Sequence, residues 1–368
     1  MRLGVARALV DGEWVAGDVD LDAEEGRVAG VGRSPAGRGL AVPGLVDLQV
    51  NGFGGVDFLA TDIDGYRRAG EALAAHGVTA YQPTLITAPP DDTVAALDVL
   101  SAAAGDAGPG SPRILGAHLE GPFLARERAG AHPVEHLRPP DAAVLERFLG
   151  AGPVTQVTLA PELDGAAALV RRLAGAGVLV SCGHSGADAA QAHATFDAGA
   201  RTVTHLFNAM GGLTARRPGL AGVALGRRDV TIQLIADRVH LADDTVRLAW
   251  AAAADRTVVV SDAIAAAGLG DGTYRLGSAE VTVRGAEARR ADGVLAGSVT
   301  GLDAAVRNLV ELGVPLVDAL AAATARPARL IGRPDLGTLA PAATADVAVL
   351  DDDLTVRAAL VGGRPVGG

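Results

Sequence analysis

The sequence predicts an α/β protein, a TIM-like (β/α)8 barrel carrying a small β-sandwich built from both ends of the chain. Three observations carry that expectation. Eight β-rich apolar runs alternate with helical patterns through the middle of the chain. Polar residues collect at the C-terminal ends of those runs, where a closed barrel gathers its chemistry. Both chain ends instead alternate short apolar stretches with Gly-rich turns, in pieces too small to bury a core alone. At roughly 150 residues per domain, 368 residues leave room for one large barrel plus an appendage.

Taken in chain order, residue 2 to about 42 should form the first part of the sandwich. Barrel strands are expected at 45–50, 78–85, 113–119, 154–159, 178–181, 202–205, 230–235 and 257–260. Helical patterns follow most of them, at 64–76, 91–104, 141–149, 166–174, 187–198 and 243–253, with two more at 302–312 and 316–325. Such alternation fits a closed barrel better than an open doubly wound sheet. The strand ends carry Gln49 and Asn51, Glu120, His184, His205, Asp237 and Asp262, which one pocket could hold together. Residues 272–297 alternate again, through Tyr274, Leu276, Val281 and Val283, and read as a β-hairpin flap over that pocket. The expected division is therefore a sandwich of 1–42 with 336–368 and a barrel of 43–335.

Composition excludes several functions. A formal net charge of −11 with dispersed arginines gives no basic face for nucleic acid. No apolar run escapes interruption by charge, so no membrane span is expected, and Arg2 and Arg7 stand where a signal peptide needs apolar residues. With Cys182 as the only cysteine, no internal disulfide can form, and a cytoplasmic location is expected. All 32 basic residues counted as Lys+Arg are arginines. Schiff-base amines, P-loop lysines and carboxylated-lysine metal bridges are thereby ruled out.

Glu120, His184 and His205 supply one carboxylate and two imidazoles on three separate strand ends, a donor set suited to a divalent ion such as Zn²⁺ with an open position for water. Fe²⁺, Mn²⁺ and Co²⁺ suit the same donors. Each residue taken singly also reads as a polar group bonding a loop at the barrel mouth. Asp262 ends the last strand and can serve as a general base beside such an ion. Its bland reading is a helix N-cap before the alanines that follow.

The flanks of these residues carry a resemblance. Gly116-Ala117-His118-Leu119-Glu120-Gly121-Pro122, Ser181-Cys182-Gly183-His184-Ser185, Thr204-His205-Leu206-Phe207-Asn208-Ala209-Met210 and Pro43-Gly44-Leu45-Val46-Asp47-Leu48-Gln49-Val50-Asn51-Gly52 resemble the N-acetylglucosamine-6-phosphate deacetylases of the amidohydrolase superfamily. The resemblance covers nearly the whole chain, including the split β-domain. It implies metal-dependent hydrolysis of the acetamido group of N-acetylglucosamine 6-phosphate, giving glucosamine 6-phosphate and acetate. Deacetylation of another N-acetylhexosamine 6-phosphate, such as the galacto isomer, stays open as an alternative. A cyclic-amide hydrolase and a non-catalytic sugar-phosphate-binding barrel are the more distant ones. Many amidohydrolases open with a His-x-His pair on the first strand and a carboxylated lysine, which hold two metals; here the pair is Gln49 and Asn51 and lysine is absent. One divalent ion per subunit is therefore expected, with Gln49 and Asn51 as neutral hydrogen-bonding groups and a weak second ion as the minority reading.

By the same resemblance His132, with Ala131 before it, lies in a Gly-Ala-His substrate loop, and Asn208 and Ala209 present backbone groups to the substrate. Arg216 matches a phosphate-binding arginine, His240 the histidine of an Asp-Gly-x-His motif, and Leu295, Ala296 and Gly297 a backbone contact segment. Arg238 departs from the pattern by replacing the usual glycine, which would put a large cation beside the substrate loop. The family also implies a homodimer, with Arg216 reaching the neighbouring site.

Overall fold

The computed structural model describes residues 1–367. Eight parallel strands follow one another around a barrel: β1 (Leu45–Val50), β2 (Val78–Ile86), β3 (Ala117–Glu120), β4 (Val154–Leu159), β5 (Leu179–Cys182), β6 (Thr202–Val203), β7 (Thr231–Leu234) and β8 (Thr257–Val259). Each pairs with the next in parallel register. The ring closes just beyond β8, where Asp262 N–H donates to Gln49 O at 2.8 Å and Val50 bridges Ala263. Asp47 strengthens that seam by accepting from Ser261 N at 3.2 Å.

Helices cover the outside because their apolar residues recur on one face. In Leu302–Glu311 the buried aliphatic positions are Leu302, Ala305, Val306 and Leu309, the spacing of a single helical stripe. Side-chain caps start several helices: Asp62 accepts from Gly65 N, Asp141 from Ala143 N, and Asp188 forms a reciprocal box with Gln191. Each such cap contributes about 1 kcal/mol.

Three local differences from the sequence expectation have physical causes. The run expected at 113–119 splits, with Arg113–Ile114 pairing β2 and β3 starting only at Ala117, where its pairing with β4 shifts register. A helix at Gly219–Gly226 was not expected, since its sequence GLAGVALG has no polar face to reveal a period. The stretch expected as a hairpin forms three antiparallel strands, Gly272–Leu276, Ala279–Arg284 and Glu287–Arg290. Its third strand is mostly charged and so hides from an apolar-alternation reading.

Strands from both chain ends make one six-stranded sheet, running Glu13–Ala16, Arg7–Val10, Leu40–Pro43, Val347–Leu350, Val356–Val361 and Arg364–Pro365. A separate hairpin, Asp18–Asp22 with Arg27–Arg33, shares a core with it through Val5, Ala8, Val19, Leu21, Val28, Val347 and Val349. Arg113 ties the barrel to this layer with a two-pronged ion pair to Asp346, Nε–Oδ2 2.6 Å and Nη2–Oδ1 3.0 Å. Among the described residues no helix is long and apolar enough to cross a membrane.

Candidate active site

The barrel brings Glu120, His184 and His205 to one point. Glu120 is the last residue of β3, and the two histidines follow β5 and β6 by two residues each. Glu120 Oε1 lies 3.0 Å from His184 Nε2 and 2.9 Å from His205 Nε2, and the two imidazole nitrogens are 3.0 Å apart. All three side chains are buried. His184 Nδ1 donates to Arg128 O at 2.8 Å, which fixes the ring proton there and leaves the Nε2 lone pair aimed at the other two donors. Lone pairs and a carboxylate this close repel unless a proton or a cation stands among them. The donor chemistry thus fits a divalent ion such as Zn²⁺.

The backbone is bent to make this convergence. His184 has φ +49°, His205 +31° and Asp262 +49°, and Phe207 and Ala209 in the same loop as His205 are also positive. Non-glycine residues held in this region cost about 1–3 kcal/mol each and persist where surrounding contacts impose them. No helix follows Asp262, so the N-cap reading is not realised. Instead its Oδ1 accepts from Asn51 Nδ2 at 2.8 Å and Gln49 Nε2 at 3.1 Å, and Gln49 also reaches Glu120 Oε1 at 3.3 Å. The pair that replaces His-x-His therefore links the two carboxylates through neutral amides.

Electrostatics separate those carboxylates. Burial works against the charge of Glu120, but the surrounding imidazoles of His132, His184 and His205 hold its carboxyl well below the usual range. Burial, reinforced by the charge of Glu120, pushes Asp262 up to about 6. One acid is thus kept ionised as a donor atom, while the other is tuned toward proton exchange. His132 accepts from Thr87 N at Nδ1, so its proton sits on Nε2, which points at Glu120 Oε2 from 3.6 Å. Burial lowers its pKa to about 4, which keeps the ring neutral. His240 is oriented by Asp237, with Nδ1–Oδ2 at 2.7 Å.

A cavity of about 270 Å³ opens over these groups. Of the residues expected from sequence, Asn51, Glu120, Ala131, His132, His184, His205, Asn208, Ala209, His240, Asp262, Leu295 and Gly297 line it. Gly297 must be glycine: a Cβ there would stand 2.8 Å from Asp262 O and 2.5 Å from Ile264 Cγ2. Asp237, also expected there, stands behind His240 and not in the lining, and three further expected residues stand elsewhere. Gln49 is fully buried behind the wall, in its bonding role. Ala296 is buried and its N–H is already given to Ala288 O at 3.0 Å. Arg216 is exposed on the loop before Pro218 and does not line the cavity of its own chain.

Arg238 corrects an expectation. Rather than standing over the substrate loop, its guanidinium pairs with Glu311 at 2.8 Å and Asp243 at 3.6 Å, outside the cavity. Its φ of +64° is the conformation that glycine adopts without strain. We expect Arg238→Gly to change turnover less than about twofold, because exposed ion pairs of this kind are worth only about 0–1 kcal/mol. A steady-state comparison checks this.

Sequence reasoning passed over Glu127, Arg128 and Ile86, which line the cavity, whereas Leu276 and Val294 reach it from the flap expected over the pocket. The signal for the first two was their position just before the Gly130-Ala131-His132 loop. The flap reaches the site because Asp57 Oδ2 accepts from Gly277 N at 2.6 Å and Arg290 Nη1 donates to Ala131 O at 3.2 Å.

Known proteins resemble this chain over most of its length. The model of the amidohydrolase family matches residues 40–366. The chain is 40% identical over 373 residues to N-acetylglucosamine-6-phosphate deacetylase of Homo sapiens, covering 96% of this chain and 90% of that one. It is 37% identical over 368 residues to N-acetylgalactosamine-6-phosphate deacetylase of Escherichia coli O157:H7, covering 98% and 97%. A solved structure of a mutant N-acetyl-D-glucosamine-6-phosphate deacetylase from Mycobacterium smegmatis, in complex with N-acetyl-D-glucosamine-6-phosphate, superposes with a TM-score of 0.93 at 36% identity, covering 100% and 99%.

Proposed function

The chain belongs to the amidohydrolase family, and from that premise we propose that it hydrolyses the acetamido group of N-acetylglucosamine 6-phosphate to glucosamine 6-phosphate and acetate. The observation that carries this reading is the convergence of three metal-type donors opposite a carboxylate pushed up to about 6, inside one cavity.

Glu120, His184 and His205 would hold the ion, which we read as Zn²⁺ from a donor set of one oxygen and two nitrogens. When bound, such a cation acidifies water and polarises a carbonyl oxygen. Asp262 in its ionised form takes a proton from the attacking water as the oxygen adds to the acetamide carbon. It then returns that proton to the nitrogen as the C–N bond breaks, so that amine and acetate leave. His132 offers its Nε2–H toward the carbonyl oxygen as negative charge builds there. His240, held by Asp237, and the 208–209 backbone orient the sugar. Asn51 and Gln49 keep the Asp262 carboxylate aimed at the reacting centre.

We read residues 43–335 as the catalytic barrel and the terminal segments as its β-sandwich, and we place the protein in the cytoplasm because a single buried cysteine has no oxidative role there. Arg216 is assigned to the substrate phosphate of a partner subunit in a homodimer, since it stands clear of its own cavity on an exposed loop. Purified protein incubated with each N-acetylhexosamine 6-phosphate should release acetate faster from the gluco isomer. The relative named for the galacto substrate, at 37% identity, makes that isomer the second reading, and a higher kcat/KM on it would reverse the assignment. No acetate from either would refute the deacetylase.

A further inference from the structure

The three ion-binding side chains stand on three different strands, so their spacing depends on how β3, β5 and β6 sit relative to one another. Backbone pairing there is thin. Between β5 and β6 only Ser181–Thr202 and Cys182–Val203 are in register, and the ladder ends before His184 and His205, both at positive φ. Beyond it only single backbone bonds continue, such as Thr204 N to Cys182 O and Ser185 N to Ala209 O, each at 3.0 Å, and side chains add to them.

Directly below the ligands runs a belt of buried side-chain hydrogen bonds. His118, two residues before Glu120 and on the same face of β3, has Nε2 at 2.7 Å from Thr158 Oγ1 on β4. Thr158 Oγ1 is also 2.7 Å from Thr204 Oγ1, and Thr204 immediately precedes His205. Thr204 Oγ1 in turn bonds Ser181 Oγ on β5, three residues before His184. At the other end His118 Nδ1 meets Thr84 Oγ1 at 3.1 Å, and Thr84 accepts from Val50 N between Gln49 and Asn51. Thr84, His118, Thr158, Ser181 and Thr204 are all fully buried, and none lines the cavity. The same threonines pack against the residue before His184: a Cβ on Gly183 would lie 2.9 Å from Thr158 Cγ2 and 3.0 Å from Thr204 Cβ.

We propose that Thr158 is a positioning residue, whose hydroxyl joins the Glu120 strand to the His205 and His184 strands and so sets the spacing of the three donors. This rests on the metal-binding reading above. Thr158 itself gives no ligand, and its strand carries none. It sits in the middle of the belt, bonded on one side to His118 on the strand of the carboxylate and on the other to Thr204, which precedes His205 and passes the chain on to Ser181 on the strand before His184. Groups that orient metal ligands without touching the metal typically change affinity by about 10–100-fold when removed.

The test compares Thr158→Val, which keeps shape and loses the hydroxyl, with Thr158→Ser, which keeps the hydroxyl. Zn²⁺ affinity of the metal-free proteins is measured by chelator competition, with far-UV circular dichroism to show that each is folded. T158V should bind Zn²⁺ about 10–100-fold more weakly than wild type, and T158S should stay within about threefold of it. Wild-type affinity in T158V overturns the proposal, as does equal loss in both variants. If T158V does not fold, Thr204→Val removes the hydroxyl through which Thr158 reaches the imidazole strands, and unchanged Zn²⁺ affinity there overturns it equally. A wild type that binds no ion at all would instead sink the metal reading and this proposal with it.

Discussion

Asp262→Asn is expected to lower turnover by about 100- to 10,000-fold and to leave metal binding intact, the range that follows when a general base is removed. The substitution is nearly isosteric, and Asn51 and Gln49 still find an acceptor in the amide oxygen that replaces Oδ1. What disappears is the capacity to take a proton. Asp262 is not one of the three converging donors, so stoichiometric metal should remain. Turnover and metal content measured on the same sample check the assignment. A variant that keeps both would remove Asp262 from the reaction, and one that loses both would make it a ligand instead.

Glu120→Gln has the second large effect, for a different reason. Glu120 contributes the only negative charge among the three donors, and its Oε1 is the atom both histidines face. The amide retains size and some hydrogen bonding but no charge, so two neutral imidazoles are left to attract a dication. We expect turnover to fall by on the order of 1,000-fold or more at limiting metal, equivalent to about 4 kcal/mol. Chelator treatment of the wild type should reproduce that loss, with recovery on adding Zn²⁺. Activity that survives exhaustive chelation would contradict the role given to the site.

Much of this architecture is legible from residue order because barrel strands and ligands announce themselves locally. The eight strands are apolar runs with β-branched residues, and the ligands stand at or just after the ends of three of them, Glu120 and His184 each beside a glycine. The terminal sheet shows itself through alternation at both chain ends. What stays hidden depends on contacts between segments distant in sequence. His118 looks like an ordinary core histidine until Thr84 and Thr158, 34 and 40 residues away, are seen to bond it. Arg238 looks like a substrate contact until Glu311 draws its guanidinium outward. The helix at Gly219–Gly226 lacks periodicity because nearly every side chain in it is apolar, and the third flap strand lacks apolar alternation because it is Glu-Ala-Arg-Arg. Arg128 joins the site through its carbonyl on His184 as well as through its side chain, and no sequence pattern marks a carbonyl.

The proposed reaction requires a single cation among three side chains of the barrel mouth. Anomalous diffraction at the zinc edge, from crystals grown with Zn²⁺, locates it directly. One strong peak bonded by a Glu120 oxygen and by Nε2 of His184 and of His205 is the predicted result. Peaks only elsewhere, or these three side chains turned away from one another around an empty centre, would contradict it.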